Sequence, residues 1–517
     1  MRRLDGVVSS RSLACLLALL LGGCATSALN MAPERPDRPW QATTDAAGEI
    51  LPGEQPPSGT PAVRDYVLPS NRNLAEIPSS PTSVDGLHLY TLPELIDIAQ
   101  SNNPATRIAW ADARNAALAA GIAKSSYLPD ISATIVGGYQ TGHSSNSALG
   151  LKASNSETVK GSISAISLQW LLFDFGKRGA VVEAAGQLSA ISNIAFTAAH
   201  QQVIYKVSLA YYAKVAAEAR LVTARQALQN TADVEAAATA RFNHGVGTVV
   251  EAAQARQASA QARLDLVSAE GMAEDAYAAL LAAMGISPLT KLKITGLSQR
   301  ALSPAMAGPI DKFVGAALAR RPDMLSAHAA HKVSLANLRA AEAEFLPKVF
   351  LSTTGSYVEG GLDASVIPGV AQSPPTVNLS GNKLGATVFL GVRIPIYDGG
   401  TRQAMLEQAR NNVGKSEAAL DDVRDEATRQ IVSAGNTAKS SLSAFEAAHS
   451  LVAATQTTYD AALAAYKHGV GSITVVTTTQ TQLLRARYAE TDAYSNALSA
   501  AATLALAGGA LGAAPDW

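Results

Sequence analysis

Charged and aromatic residues are scarce in this 517-residue chain. Only 16% of its residues are charged, 5% are aromatic, and the formal net charge is -1. A chain this close to neutrality has no basic field to hold nucleic acid, so no nucleic-acid partner is expected. The chain has two cysteines, Cys15 and Cys24. They cannot form a disulfide framework if Cys15 is removed with an export signal.

Motifs for catalysis and metal binding are missing as well. The sequence contains no phosphate-binding Gly-x-x-x-x-Gly-Lys-Ser/Thr loop, no His-Glu-x-x-His and no Cys-x-x-Cys. His328 and His331 lie three positions apart in a predicted helix, but a histidine pair without a third ligand is more often incidental than a metal site. No enzymatic activity, metal or cofactor is therefore expected, and any energy that the protein's function needs has to come from a partner.

The N-terminus resembles a bacterial export signal. Arginines precede the apolar run Leu13–Leu21, which is too short to span a bilayer but typical of a signal core. The run ends in Leu21-Gly22-Gly23-Cys24, which resembles a lipobox. We predict a signal peptide over residues 1–23 and lipidation of Cys24; the alternative is an ordinary signal with a chance cysteine. Ala25, rather than Asp, follows the cysteine, and this favours the outer membrane.

A proline-rich segment follows the signal. Residues 25 to 86 hold ten of the 23 prolines. Proline at this density blocks helix interiors and sheet ladders. We therefore predict an extended strap or linker over residues 24–88.

The remaining chain contains one plan twice. A strand-like run enters a long Ala-rich helix at Leu171–Arg178, and the same transition recurs 224 residues later at Pro395–Arg402. Tyr127-Leu128-Pro129 returns 218 residues later as Phe345-Leu346-Pro347. This internal duplication predicts a first repeat over residues 89–288, a linker over 289–309, a second repeat over 310–508 and a tail over 509–517.

Each repeat has two segments of alternating apolar and polar residues. The clearest runs from Leu384 to Ile396, and such alternation is typical of transmembrane β-strands, although a soluble hairpin would look the same. We predict loops at Thr141–Ser156 and Glu359–Lys383, and a β-bulge near Ala165, where the alternation changes phase.

Four strands cannot close a membrane barrel, because small barrels need about eight. Three copies would supply twelve strands. The long helices carry stripes of small residues, and such helices can pack side by side around an axis. The fold class predicted is therefore an α+β membrane protein, with long helices that form a tube and four strands per chain in a shared barrel.

The duplicated strand-to-helix segments, the paired Gly-x-Gly turns and the lipobox resemble the TolC-like outer-membrane efflux factor family. The resemblance implies a homotrimer in the outer membrane of a Gram-negative bacterium, with a twelve-stranded barrel and a helical tube in the periplasm. It also implies a periplasmic adaptor protein and an inner-membrane pump as partners. The implied function is an exit duct for small toxic molecules. Two alternatives are a type I protein secretion exit and a structural periplasmic lipoprotein without a channel.

The resemblance assigns three groups of site residues. The junction between barrel and tube would contain Phe173, Asp174, Gly176, Tyr397, Asp398, Gly399 and Gly400. The two aspartates would either cap the helices or only turn the chain. The periplasmic tip that contacts the adaptor would contain Gly245, Val246, Gly247, Gly469, Val470 and Gly471.

The aperture departs from the family pattern. Family members often carry aspartates shortly after the second turn, whereas this chain has Ser472 to Thr478 without a carboxylate. We therefore expect an apolar or hydroxyl-lined aperture at Val475 and Thr478.

Overall fold

The computed structural model describes residues 31–33, 36, 40, 42–53, 66–75, 84–148, 151–296, 302, 311–360 and 384–512. The chain divides into two compact units, residues 1–79 and 80–517. In the first unit, Asp45 Oδ1 accepts hydrogen bonds from the backbone N–H groups of Ala47 and Glu49, both at 2.8 Å. Gly48 has a φ of 86°, and a Cβ there would lie 2.1 Å from the carbonyl oxygen of Ser70.

The second unit contains both repeats, and the helices and hairpin strands follow the same order in each. The first repeat comprises β1 (Leu89–Tyr90), α1 (Leu92–Asn102), α2 (Pro104–Ser125), β2 (Asp130–Ala148), β3 (Leu151–Phe173), α3 (Lys177–Asn243) and α4 (Val249–Met284), and β4 (Lys293–Ile294) lies in the linker that follows it. The second comprises α5 (Asp311–Leu318), α6 (Pro322–Ala343), β5 (Lys348–Gly360), β6 (Leu384–Arg393), α7 (Thr401–Lys467) and α8 (Ile473–Ala507).

The two long helices, α3 and α7, have 67 residues each. At 1.5 Å per residue each extends about 100 Å. Their buried positions are mostly small and recur every three, four or seven residues, as in the series Ala224, Ala227, Thr231, Val234 and Ala238. Small side chains let helices approach closely, so the helical hairpins α3–α4 and α7–α8 pack along their length.

The core of larger apolar side chains lies where α1 meets α3 and α4. Leu95, Val207, Leu280, Leu281 and Met284 are all fully buried there. Strands β1 and β4 pair in parallel beside this cluster. A second cluster contains Ala317 of α5, Ile431 of α7 and Ala507 of α8. In each cluster the first and last helices of a repeat pack against its long helix.

Strands β2, β3, β5 and β6 form one antiparallel sheet in that order. Each hairpin belongs to one repeat, and the β3–β5 pair joins the repeats. β2 and β6 are the edges of the sheet. The fold class expected from sequence, long helices with four strands, is confirmed.

Three sequence predictions about the strands were wrong in detail. Thr141–Ser156 is paired strand, because the β2–β3 ladder continues without a break to Ala148 and Leu151. Backbone hydrogen bonding holds these strands together where the side chains no longer alternate. The register shift lies between Leu171 and Phe173, not near Ala165, which pairs regularly on both sides. β6 ends at Arg393 rather than Ile396. The second loop, Glu359–Lys383, lies largely outside the described residues.

Candidate functional site: the strand-to-helix junctions and the helical turns

The first junction turns the chain from β3 into α3 within three residues. Phe175 and Gly176 both have positive φ, 53° and 93°. Asp174 is 4% exposed, and its Oδ2 accepts hydrogen bonds from the backbone N–H of Arg178 at 2.8 Å and from Arg178 Nε at 3.1 Å. The carboxylate thus binds a free N–H group of the first helical turn, where the helix dipole favours negative charge.

Arg178 is the centre of this junction. Its Nη1 donates to the carbonyl oxygens of Ser126 and Leu171, at 3.1 and 2.5 Å, and its Nη2 donates to that of Leu172 at 3.2 Å. The guanidinium also lies 4.8 Å from the centre of the Tyr127 ring. One buried cation therefore ties the end of α2, the end of β3 and the start of α3 together.

Lys177 links the two repeats beside the first junction through its ion pair with Glu344. Lys177 of α3 and Lys348 of β5 both form ion pairs with Glu344, which follows α6. Burial of Glu344 opposes its ionisation, but the hydrogen bonds from the two lysines outweigh burial and lower its pKa. Farther from the junction along α3 and α6, Arg339 Nη2 donates to Glu183 Oε1 at 2.7 Å. The α3–α6 contact is therefore held by ion pairs as well as by packing.

The second junction has the same backbone turn. Gly399 and Gly400 have φ of 72° and 89°. Asp398 Oδ1 accepts from the Gly400 N–H at 3.2 Å, and its Oδ2 accepts from the Arg402 N–H at 3.1 Å. Both predicted aspartates therefore hydrogen-bond to backbone N–H groups at the start of a long helix.

The two junction arginines differ in what surrounds them. The Arg402 guanidinium lies 5.6 Å from the centre of the Phe345 ring, and this contact is equivalent to that of Arg178 with Tyr127. Arg402 Nε is 2.9 Å from Asp398 Oδ2. That ion-pair contact lacks hydrogen-bond geometry. Nε and Nη1 of Arg402 are buried, and neither has a hydrogen-bond partner among the described residues.

The two Gly-x-Gly turns also have matching geometry. The N–H groups of Val246 and Gly247 both donate to the Arg241 carbonyl at 3.0 Å, and those of Val470 and Gly471 both donate to the Ala465 carbonyl at 3.0 Å. Gly245 and Gly469 have φ of 76° and 83°. A Cβ at Gly471 would lie 2.7 Å from the Tyr466 nitrogen. Glycine is therefore required for conformation at the first position and for space at the last.

The side chains at the turns are divided between exposed and buried. Val246 and Val470 are 67% and 84% exposed, whereas Tyr466 is 2% exposed. The Arg241 guanidinium lies 5.2 Å from the centre of the Tyr466 ring, which joins the ends of α3 and α7. Burial raises the pKa of Tyr466. Glu251, in the first turn of α4, forms a reciprocal cap with Thr248.

The predicted aperture residues lie on the exposed side of α8. Val475 is 52% exposed and Thr478 is exposed, whereas Val476 between them is fully buried. Val476 packs in a cluster with Ile473 and Leu483. One face of this helix therefore holds the hairpins together, and the opposite face presents methyl and hydroxyl groups to solvent.

The edge strand β6 exposes its apolar residues, whereas β5 buries hydroxyl groups. On β6, Leu384, Val388, Leu390 and Val392 are 60% to 78% exposed. On β5, Ser352, Thr354 and Ser356 are buried. This pattern is the inverse of a soluble sheet and is typical of strands whose outer face contacts lipid. Phe173 and Tyr397, which were predicted at the junction between barrel and tube, are 52% and 87% exposed at the end of β3 and just after β6.

Three further expectations concern the membrane anchor and metals. Cys24 lies outside the described residues. None of the described helices combines the length and hydropathy that a membrane span requires. Within the described chain no group of His, Cys, Asp and Glu has an arrangement that would hold a metal ion, and His331 Nδ1 instead lies 3.0 Å from Ser416 Oγ.

Sequence reasoning missed the arginines. Arg178 and Arg402 stand at equivalent positions of the duplicated junctions, and this recurrence was a usable signal. Arg241 and Tyr466 carried no comparable signal, because their contact joins helices that are far apart in sequence. Arg321 was also missed: it is 7% exposed and donates to the Ala507 carbonyl at the end of α8 at 2.8 Å.

The fold and the outward apolar surface define a class of protein, the outer-membrane channels. The crystal structure of the Campylobacter jejuni CmeC outer membrane channel is similar, with a TM-score of 0.68 at 17% identity over 93% of this chain and 95% of that one. The sequence model described as outer membrane efflux protein matches residues 95–286 and 313–510. These two segments make up more than half of the chain, which therefore belongs to the outer membrane efflux protein family.

Individual relatives agree with this assignment. Protein CyaE of Bordetella pertussis is 28% identical over 352 residues, which cover 66% of this chain and 68% of that protein. The probable outer membrane lipoprotein SilC of Salmonella typhimurium is 25% identical over 418 residues, which cover 78% of this chain and 80% of that protein. The expected family, the outer-membrane location and the role as an outer-membrane efflux component are confirmed.

Proposed function

We propose that this chain assembles as a homotrimer into a passive exit duct for small molecules. In this proposal an inner-membrane pump and a periplasmic adaptor deliver the molecules, and the duct conducts them across the outer membrane. In this proposal transport energy comes from the pump, since the chain's sequence has no nucleotide-binding loop.

The observation that carries the proposal is the incomplete sheet with its apolar outer face. The four strands leave two open edges, at β2 and β6. An open edge in lipid leaves backbone N–H and C=O groups unsatisfied at several kcal/mol each. Exposed apolar residues on β6, such as Leu390 at 71%, make lipid the fitting surroundings. Three copies would pair all edges and give twelve strands, enough for a barrel with an open interior.

The helical part supports the same assembly. Each chain offers two long helical hairpins whose turns, at Gly245–Gly247 and Gly469–Gly471, present Val246 and Val470 to solvent. We propose these turns as the contact for the adaptor. The exposed Val475 and Thr478 would line the aperture, which would then be free of the acidic rings that bind cations. Cys24 would carry the lipid that holds the chain at the outer membrane.

The experiment is conductance of the purified full-length protein in a planar bilayer, together with its mass in detergent. A trimer that produces long-lived ion steps supports the duct. A protein that never conducts, even after its aperture is opened by mutation, would leave the structural lipoprotein as the better account. Deletion of the gene should raise sensitivity to small toxic molecules; loss of one secreted polypeptide instead would favour the protein secretion exit.

A further inference from the structure

The internal duplication allows the contact between two copies of the chain to be read from one copy. Residues of β2 recur in β5 at an offset of 218, and residues of β3 recur in β6 at an offset of 224. The hairpin registers test this correspondence independently. Ile131 pairs with Leu168 in the first hairpin, and the two offsets convert this pair into Val349 and Val392, which are paired in the second.

The β3–β5 pair joins the first repeat to the second within one chain. The equivalent pair between two copies consists of β6 of one copy and β2 of the other. Within the chain, Ser164 pairs with Tyr357 and Gln169 pairs with Ser352. Adding 224 to each β3 residue gives its counterpart in β6, and subtracting 218 from each β5 residue gives its counterpart in β2. We infer that β6 of one copy pairs antiparallel with β2 of a second copy, with Val388 opposite Tyr139 and Arg393 opposite Thr134. This inference rests on the proposed trimer and adds its register.

The apolar residues agree with this register, although they were not used to derive it. The register sets Val392 opposite Ile135 and Val388 opposite Tyr139, and all four side chains are 60% exposed or more in the single chain. A shift by one residue would put these residues on opposite faces of the sheet. Pairing in the inferred register therefore makes the outward apolar surface continuous from one copy to the next.

A glycine on β2 gives a second check. Within the chain, the Phe350 ring covers Gly391 on the neighbouring strand, where an added Cβ would lie 2.4 Å from the ring. The inferred register places Phe389 opposite Gly138 of the second copy. A Cβ on Gly138 would meet no atom within 4 Å in the single chain, so the space is open for the ring. Aromatic residues that cover a cross-strand glycine are a recurrent way to fix strand register.

Arg402 at the second junction gives the third argument, because its Nε and Nη1 atoms are buried without a hydrogen-bond partner among the described residues. β3 extends to Phe173, whose counterpart is Tyr397, but β6 ends four residues earlier at Arg393. The missing residues include Pro395 and Ile396, the counterparts of the two residues whose carbonyls bind Arg178. Pairing with β2 of a second copy extends β6 through Tyr397 and brings these two carbonyls to the Arg402 guanidinium, beside its ion pair with Asp398. Proline is tolerated at this place because its counterpart, Leu171, adjoins a register shift.

Cysteine pairs on the two edges test the register. The double variant Val388→Cys/Tyr139→Cys should form a disulfide between copies on mild oxidation and run as a covalent trimer in denaturing gels. The matched control is Val388→Cys/Gly137→Cys, which is shifted by two residues and keeps both cysteines on the same face. Directly opposite Cβ atoms are about 5 Å apart and diagonal ones about 7–8 Å, whereas a disulfide needs about 4 Å.

A second pair samples the other face of the sheet, because directly opposite pairs alternate between two hydrogen-bonding geometries. Arg393→Cys/Thr134→Cys should cross-link, and its shifted control Arg393→Cys/Val136→Cys should not. Variants with only one of the two introduced cysteines are the control for disulfides that involve the two native cysteines. If a native trimer cross-links through the shifted pairs, or through neither the inferred nor the shifted pairs, the inferred register is refuted while the proposed trimer is supported. If the protein has the mass of a monomer, the proposed assembly fails as well.

Arg402 is tested by comparison with Arg178. Arg402→Met should raise the fraction of unassembled chain on the order of tenfold, since hydrogen bonds from a charged group are lost at every contact between copies. The helical circular dichroism of the unassembled chain should stay as in the parent. Arg178→Met should reduce the folding of the unassembled chain instead. A trimer of Arg402→Met that dissociates at the parental temperature would refute the role of Arg402.

Discussion

Removing the Arg178 guanidinium is expected to destabilise the first junction strongly. Arg178→Met keeps the length of the side chain but leaves Asp174 as a buried carboxylate with one remaining hydrogen bond, from the backbone N–H at 2.8 Å. It also removes the donors to the carbonyls of Ser126, Leu171 and Leu172. Breaking a buried ion pair from one side costs about 3–5 kcal/mol. We expect a loss of free energy of unfolding in that range.

The partner variant and the double variant make the prediction specific. Asp174→Asn retains an oxygen that accepts from the helix N–H but loses the charge, so we expect a smaller loss of about 1–3 kcal/mol. The double variant Asp174→Asn/Arg178→Met removes the uncompensated charge and should be less destabilised than the sum of the single variants. The coupling energy expected is about 1–3 kcal/mol.

The assay is unfolding by urea of the detergent-solubilised protein, followed by helical circular dichroism. The change in midpoint at constant slope gives the difference in free energy. The reasoning is refuted if Arg178→Met unfolds within about 0.5 kcal/mol of the parent, which is the range of an ordinary surface substitution. It is also refuted if the two single variants add without coupling.

Three shorter predictions concern other parts of the molecule. Gly391→Ala should destabilise the second hairpin by about 1–3 kcal/mol, because its Cβ would lie 2.4 Å from the Phe350 ring. The control is Gly355→Ala, whose Cβ would meet no atom within 4 Å, and equal urea midpoints for the two variants would contradict the close packing. Hydrogen bonds at the start of α1 lower the pKa of Glu94 from 4.5 to about 2, so this carboxylate stabilises the fold above pH 4.5 and the contribution is lost as pH falls towards 2. Glu94→Gln should therefore lessen the loss of thermal stability between pH 4.5 and 2, and an unchanged acid profile would count against the cap. Cysteines introduced at Ser472 and cross-linked between neighbouring copies should block transport and leave assembly intact, and normal efflux from a fully cross-linked trimer would disprove an opening at the turns.

Local sequence features predicted much of the fold, because they depend on short-range rules. Glycines with positive φ follow from the lack of a Cβ, and both Gly-x-Gly turns lie where the sequence indicated them. Both long helices begin within the predicted strand-to-helix segments, at Lys177 and Thr401. Strand alternation predicted β5 and most of β6 for the same reason, since neighbouring side chains point to opposite faces.

The predictions that failed depend on backbone pairing between distant residues. The polar run Thr141–Ser156 lacks apolar alternation and was expected to be a loop, yet its backbone pairs across the hairpin. The bulge was expected where side chains change phase, but the register shift lies at Leu171 and Phe173, next to the sharp turn into α3. Neither feature is a property of one strand considered alone.

The candidate sites show the same division. Sequence indicated Asp174 and Asp398 as residues of the turns, because each follows a strand and precedes a long helix. It did not indicate Arg178, whose partners Ser126 and Leu172 lie on different elements. The ion pair from Lys177 to Glu344 also required the packing of α3 against α6.

The sequence by itself determined the duplication, the long helices, their turns and the presence of amphipathic strands. Each of these follows from residue spacing and from the conformations that glycine and proline allow. Only the tertiary structure decided which strands are neighbours, which of their faces is exposed and which residues hold the junctions. Those features depend on contacts across as many as two hundred residues, and their free energy arises only when the two repeats pack against each other.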